Sequence, residues 1–342
     1  MFLRIDGAHG EGGGQLVRTA VALAAITGQA IEIHDIRARR HPPGLAPQHL
    51  LAVRAVAALC AASVEGLELR SRAIRFAPRA LAGGTHDFDV GTAGSVTLVL
   101  QALLPVMLAS RAETTVSIRG GTDVRAAPPS AYFAHVLLPN LRRMGMRVAF
   151  DVTRRGYYPR GGGAVRARVL PCRVQPLALD SRGPLIAIRG EAHVANLAEH
   201  IAARMRDSAR AFLFPMSPVD IERKVLLSGE AHGKGGALVL WAEFANTVLG
   251  AGRVAELGVP AEALGEAAAR ELLADMAAGV TTDIHASDQL LVYFALAGGG
   301  SLLARDASTH ALTGIWLTEQ FLPVRFAVSR QGGCVRIAVA KR

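Results

Sequence analysis

The chain has 342 residues, of which 51% are hydrophobic and 19% charged, which excludes a wholly disordered chain or a low-complexity array and points to two domains of roughly 100–200 residues each. The formal net charge is +10, and lysine occurs only at Lys224, Lys234 and Lys341, so the positive charge is almost all arginine. Its sign points to an anionic partner, most simply nucleic acid or a nucleotide; the bland alternative for the arginine excess is genomic composition bias.

Three stretches share one order of predicted elements. The first opens with an apolar helix over 15–27, stopped by Gly28 as a C-cap. Ile31, Ile33 and Ile36 suggest a strand, a second helix covers 47–61 with Pro47 in its first turn, and short strands follow near 67–69 and 74–76. The second stretch has a helix at 95–109, an alternating strand at 115–118, a helix at 129–144 and strands at 148–150 and 165–169. The third has a helix at 287–297 ended by the glycines 298–300, a strand at 302–304, a helix at 308–321 with Ser308 as N-cap, and strands at 324–328 and 335–339.

One such unit leaves an apolar face open, whereas three can pack their helices around a shared interior. The units starting at 15, 94 and 287 are about 79 and about 193 residues apart, and the surplus of about 114 residues is the size of a small domain. The expected organisation is a discontinuous three-repeat domain, 1–183 and 279–342, with a smaller α/β domain inserted at 184–278. Helices at 196–212 and 261–278 and strands at 220–227 and 237–244 fill the insert. The fold class is α/β in the broad sense, α+β.

No apolar run reaches the roughly 20 residues of a membrane-spanning helix; the nearest, 96–109, contains Gln101 and Pro105. Asp6 and Glu11 do not suit a secretory signal, and Cys60, Cys172 and Cys334 form no CxxC pair. A reducing, cytoplasmic location without membrane contact is expected.

The residues able to carry chemistry cluster at helix starts. Gly10-Glu11-Gly12-Gly13-Gly14-Gln15 precedes the first helix, where glycine lets backbone N–H groups approach an anion, although a glycine-rich turn is often only a turn. Glu11 is a candidate metal ligand. Arg18 lies one turn into an otherwise apolar helix, which calls for an anionic partner or a snorkelling side chain. Arg37, Arg39, Arg40 and His41 form a basic loop that is either a solvated face or a phosphate clamp. His285-Ala286-Ser287-Asp288-Gln289 opens the third unit, with Asp288 and Gln289 in a first helical turn, able to cap backbone donors or to hold a purine or ribose. His310 stands at the start of the last helix, whose positive end lowers imidazole basicity and favours a bound phosphate; a neutral imidazole there is a competent nucleophile.

The stretch Arg155-Gly156-Tyr157-Tyr158-Pro159-Arg160-Gly161-Gly162-Gly163-Ala164-Val165 resembles the signature of the RNA 3′-terminal phosphate cyclases. Further matches keep their order along the whole chain: DGAHGEGGGQLVR at 6–18, IRARRHPPGL at 36–45, GTAGSVTLVLQ at 91–101, GGTDVRAAPP at 120–129, HASDQL at 285–290 and the block at 308–314. The resemblance implies three repeated ββαβ-type units similar to the C-terminal domain of translation initiation factor three, with a smaller α/β domain inserted before the last. It implies an ATP-dependent ligase that converts an RNA 3′-phosphate into a 2′,3′-cyclic phosphate. His310 takes the position of the nucleophile that becomes adenylylated at Nε2. Gln101, Pro129, His285, Ala286, Ser287, Asp288 and Gln289 match the ATP-binding positions, with Pro129 as a pocket wall. Arg18, Arg37 and Arg40 match phosphate- and RNA-binding positions, and Glu11 a position for Mg²⁺ or Mn²⁺. Relatives can carry Tyr in the slot of His285, and His9 has no assigned role. The implied partner is RNA with a 3′-phosphate end, and oligomerisation is left open. The rival reading is a non-catalytic, cyclase-like assembly factor that associates with RNA; the presence of His310 together with Asp288 and Gln289 favours the enzyme. An enolpyruvyl transferase would rest on fold likeness alone.

Overall fold

The computed structural model describes residues 1–214, 216 and 218–342. Strand β1 (Leu3–Asp6) leads through helix α1 (Gly14–Thr27) to a parallel strand β2 (Ile31–His34); Gly28, left-handed at φ +74°, ends the helix. Helix α2 (Pro47–Cys60) begins on Pro47, where a missing N–H leaves no helical bond unmade. Strands β3 (Ser63–Glu65) and β4 (Ile74–Ala77) complete a sheet ordered β1-β2-β4-β3. The strand expected at 67–69 is a loop instead. Gly66 turns the chain at φ +71°, and the backbone of Arg70 and Ser71 then bonds to Leu45. Ile36 likewise lies beyond β2, because Asp35 turns at φ +51°.

The second sheet repeats that plan. Strand β5 (Gly84–Asp89) and helix α3 (Val96–Ala109) precede β6 (Thr114–Gly120), which is parallel to β5. Ser95 caps α3 by accepting from the Leu98 N–H at 3.2 Å. Pro105 cannot donate to the carbonyl of Gln101, so that oxygen is left without its helical partner. The helix expected at 129–144 is α4 (Ser130–Tyr132), a π-helical turn (Phe133–Leu137) and α5 (Leu138–Arg143). Strands β7 (Val148–Gly156) and β8 (Gly163–Val169) close the order β5-β6-β8-β7.

The third sheet starts with β9 (Leu177–Ala178) and is then interrupted. The interruption contains β10 (Leu185–Ala195), α6 (Glu199–Leu213), β11 (Val219–Leu226), β12 (Ala231–His232), β13 (Gly235–Phe244), β14 (Val248–Val254) and α7 (Ala261–Ala277). Of these, β11-β10-β13-β14 form a fourth sheet, while β12 adds to the outer edge of β7. Helix α6 starts three residues later than expected because Asn196 is left-handed, and its Arg204 pairs with Glu262 on α7. Then α8 (Ile284–Ala297), β15 (Gly299–Ala304), α9 (Thr309–Phe321), β16 (Val324–Gln331) and β17 (Cys334–Lys341) finish the order β9-β15-β17-β16. Apart from the added β12, which is parallel to β7, each of the three like-ordered sheets has one parallel pair followed by two antiparallel ones.

The architecture is therefore mixed α/β with four sheets. One continuous core joins the three like-ordered sheets, with α1 against α2, α3 and α9, and α8 against α9. A separate core fills the fourth sheet and its helices, from Ile188 to Val280. Among the described residues, no helix is long and apolar enough to cross a membrane.

Candidate active site

The glycine-rich loop before α1 docks on the start of α9, some 300 residues away in sequence. The Glu11 N–H donates to Thr313 Oγ1 at 3.2 Å, and the His9 ring stacks on Trp316 with centroids 3.8 Å apart. Gly10 is left-handed at φ +57°, and a Cβ there would run into the Thr313 hydroxyl, so only glycine permits this approach. The docking brings Glu11 to His310. One carboxylate oxygen pairs with Arg40, and the other lies 3.8 Å from His310 Nδ1. His310 is the second residue of α9, after the cap in which Ser308 Oγ accepts from the Ala311 N–H at 2.9 Å.

From His310 a cleft of about 450 Å³ runs between the helices and the fourth sheet. Such a volume lies within the roughly 300–1,000 Å³ of sites that enclose small ligands. Arg18 and Gln101 line one side, His285, Asp288 and Gln289 another, and the loop 124–129, ending in Pro129, forms a third. Strand β14 contributes Arg253, which donates to Glu271 on α7; the second oxygen of Glu271 lies 3.9 Å from His285 Nε2. Arg125 and Glu256 pair at 3.6 Å, both at the cleft.

Helix α8 begins at Ile284, three residues before the expected start, because Asp283 caps it. Asp283 is fully buried and accepts from the His285 and Ala286 N–H groups, the Tyr132 hydroxyl at 2.6 Å and the Gly250 N–H at 3.0 Å. One carboxylate thus ties α8 to α4 and to β14. Asp288 consequently lies in the second turn rather than the first.

The electrostatics are those of a site built for anions. Arg18 is 7% exposed, and no ion pair or hydrogen bond is formed by its guanidinium among the described residues. Burial lowers it to about 10, with Asp288 acting in the opposite direction, so it remains charged at neutral pH. Burial first, then Asp283, raises Asp288 well above the usual carboxylate range, against the pull of Arg18. Burial first, then Arg18, Arg40 and His285, lowers His310, so its ring is neutral near pH 7. Burial, then Arg18 and Arg37, pushes His49 down to about 3. The Nδ1 of His49 accepts from the Ala46 N–H at 3.1 Å, and its ring packs on Gly14, where a side chain would strike it. Buried side-chain atoms of Gln15, Gln289 and His310 also have no partner.

Arg18, Gln101, Pro129, His285, Asp288, Gln289 and His310 therefore meet at one cleft, with Glu11 and Arg40 at the edge of His310. Three residues take other places. Ala286 belongs to the core, and Ser287 is buried with its hydroxyl on the Ile284 carbonyl. Arg37, left-handed at φ +52°, donates to the carbonyls of Pro42 and Gly44 at 3.2 and 2.7 Å and braces its own loop. Sequence reasoning missed Asp283, Arg253 and Glu271. An aspartate just before an apolar helix is a capping signal that was available for the first; nothing local marked the others.

A divalent ion would find one carboxylate beside His310, that of Glu11. Among the described residues the group of three side chains able to hold a metal unaided is Asp6, His34 and Asp35, none of which lines the cleft. Mg²⁺ commonly uses one or two carboxylates together with substrate phosphates. The donor set at Glu11 fits an ion that arrives with a nucleotide, held by the carboxylate and the phosphates together.

A family profile described as RNA 3′-terminal phosphate cyclase matches residues 9–328. Curated proteins named RNA 3′-terminal phosphate cyclase are similar over almost the full length. The one from Nitrosospira multiformis is 54% identical over 97% of this chain and 95% of its own. That from Korarchaeum cryptofilum is 43% identical over 97% and 95%, and that from Methanosarcina barkeri 40% identical over 99% and 100%.

Proposed function

The chain belongs to the RNA 3′-terminal phosphate cyclase family, and we propose that it is an ATP-dependent ligase that converts an RNA 3′-phosphate into a 2′,3′-cyclic phosphate through a histidine–AMP intermediate. The observation that carries this reading is a neutral His310 on a helix N-terminus, beside the unpaired cation Arg18, at one end of a nucleotide-sized cleft. The three like-ordered sheets are then three copies of a unit similar to the C-terminal domain of translation initiation factor three, and 184–278 is the inserted domain.

Glu11 faces Nδ1 of His310 and favours the proton on that nitrogen, which leaves the Nε2 lone pair free. Nε2 attacks the α-phosphorus of ATP, pyrophosphate leaves, and a phosphoramidate carrying AMP remains. Arg18, Arg40 and the N-terminus of α9 neutralise charge as it develops on phosphorus. The adenosine lies between Pro129 and the 285–289 turn. Mg²⁺ or Mn²⁺ at Glu11 would add charge neutralisation at the phosphates. AMP then passes to the RNA 3′-phosphate oxygen, which turns a poor leaving group into a good one. The adjacent ribose O2′ attacks the 3′-phosphorus, its proton goes to solvent or to a cleft base, and AMP leaves. Ring closure is intramolecular and gains from effective molarity. The 2′-OH is the reacting atom and also what tells RNA from DNA.

The test is incubation with ATP labelled on the α-phosphate, Mg²⁺ or Mn²⁺ being supplied, followed by RNA carrying a 3′-phosphate. Wild type acquires an acid-labile, alkali-stable label and His310→Ala loses it by at least about a thousandfold. A DNA 3′-phosphate end accepts AMP and forms no ring; a cyclic product from DNA would sink the mechanism. A folded wild type that takes no label returns the chain to the assembly-factor reading.

A further inference from the structure

The signature 155–165 occupies the turn between β7 and β8, and none of its residues lines the cleft. Its first residue is nevertheless connected to the cleft wall. The loop 124–129 leaves and rejoins the fold at two adjacent points, where the Ser130 N–H donates to the Thr122 carbonyl at 3.0 Å. Asp123, fully buried, accepts at that neck from the Ser130 N–H and hydroxyl, both at 3.3 Å, and from the Thr122 hydroxyl at 2.7 Å. Arg155 closes the neck from outside. Its Nη1 donates to both oxygens of Asp123, at 3.1 and 3.0 Å, and to the Ser130 hydroxyl.

The other end of the same guanidinium is held by the fourth sheet. Arg155 Nη2 donates to Glu191 on β10 at 2.7 Å, and Glu191 also contacts His193 at 3.1 Å and Lys224 of β11 at 2.6 Å. Burial works against the charges of Asp123 and Glu191, yet Arg155 and their hydrogen bonds hold both carboxyls below the ordinary range. The neck of the loop is thereby fixed to β7 and to β10 by one rigid, forked cation.

We propose that Arg155, gripped by Glu191, is a positioning residue that holds the 124–129 wall in its nucleotide-accepting shape, so that the fourth sheet sets the affinity of the cleft for ATP. This rests on the nucleotide reading of the cleft. A wall that carries Pro129 must be placed to within about half an ångström to stack a base, and a loop with one loosened neck cannot be. Loss of the fork therefore weakens nucleotide binding while the nucleophile His310, on a different helix, keeps its chemistry.

The experiment measures self-adenylylation of the full chain against ATP concentration, separating half-saturating ATP from maximal rate, for wild type, Arg155→Lys and Glu191→Gln, with a thermal melt of each. Arg155→Lys raises half-saturating ATP about tenfold, with the maximal rate changed by no more than about threefold. Glu191→Gln moves it in the same direction by less, and half-saturating RNA 3′-phosphate stays at the wild-type level. A lowered melting temperature with half-saturating ATP within about twofold of wild type would mean that the network is structural only, and overturns the inference. If Arg155→Lys does not fold, Ser130→Ala, which removes one hydroxyl from the neck, decides it: a rise of about threefold supports the inference and no change overturns it. A wild type that takes no label overturns the nucleotide reading and this inference together, whereas a labelling wild type with unchanged variants overturns this one alone.

Discussion

Two sets of charges, one lining the cleft and one behind its 124–129 wall, are built on different plans. Around His310, among the described residues, Arg18 is buried without an ion pair, and buried side-chain atoms of Gln15, Gln289 and His310 have no hydrogen-bond partner. Around Arg155, each charged group faces an opposite one: Asp123 and Glu191 on the guanidinium, Lys224 on Glu191. A buried charge without a partner is costly, and the proposed nucleotide phosphates are what would complete the site. A network whose charges are paired with one another serves the geometry of the chain, even though the Nε2 of its His193 has no hydrogen-bond partner among the described residues. Arginine content alone does not separate the two; the distinction is in who stands opposite.

The sharpest way to break this comparison is to remove each arginine in turn. Arg18→Met lowers self-adenylylation by about a hundredfold or more, because a donor aimed at developing charge is gone. The same change leaves stability neutral or raises it by up to about 2 kcal/mol, because an uncompensated buried charge has been removed. Arg155→Met does the reverse to stability and costs about 3–5 kcal/mol, since the fully buried Asp123 loses the cation that faces it, while Glu191 keeps Lys224. Thermal or urea unfolding of the two variants side by side checks both signs; equal destabilisation would erase the distinction.

A smaller effect sharpens the catalytic side. His310 is depressed below the ordinary imidazole value of 6.5, so its neutral form predominates at 6.5 and above and is lost as pH falls through the lowered value. The acid limb of self-adenylylation therefore lies below pH 6.5. Arg40→Ala removes one of the cations that depress it, and the limb moves upward in pH; a pH–rate profile of the variant that shifts downward contradicts the assignment. The smallest effect belongs to the exposed pair at the cleft mouth. Glu256→Gln breaks the 3.6 Å contact with Arg125, whose side chain is 82% exposed, and changes stability by less than about 1 kcal/mol in a denaturant titration.

What could be read along the chain follows the range of the interactions concerned. The helices over 14–27, 96–109 and 309–321 were legible from apolar runs, from Gly28 as a C-cap and from Ser308 as an N-cap, whereas Ser95, expected inside its helix, caps it. Strands β1, β5 and β9 were not, being edge strands of two to six residues; β1 alternates but over only four residues, and β5 and β9 have little alternation. Strands β10 and β14 escaped for another reason. Much of each is buried without a period-two pattern, so alternation had nothing to detect. At the candidate site, motif resemblance led to His310 and Arg18, but it also carried over Ala286 and Ser287, which pack inward, and Arg37, which binds carbonyls of its own loop.

The sequence by itself determined the apolar helices, the Gly28 and Ser308 caps and the family, because those depend on residues a few positions apart or on motifs in fixed order. Only the tertiary structure decided which charges are paired. Glu11 meets its neighbours Arg40 and His310 from 29 and 299 positions away, and Arg155 finds Asp123 and Glu191 from 32 and 36. Whether an arginine stays unpaired or is held by carboxylates depends on which of them the packing of sheets and helices brings within about 3 Å of it, and that distance is a property of the folded core.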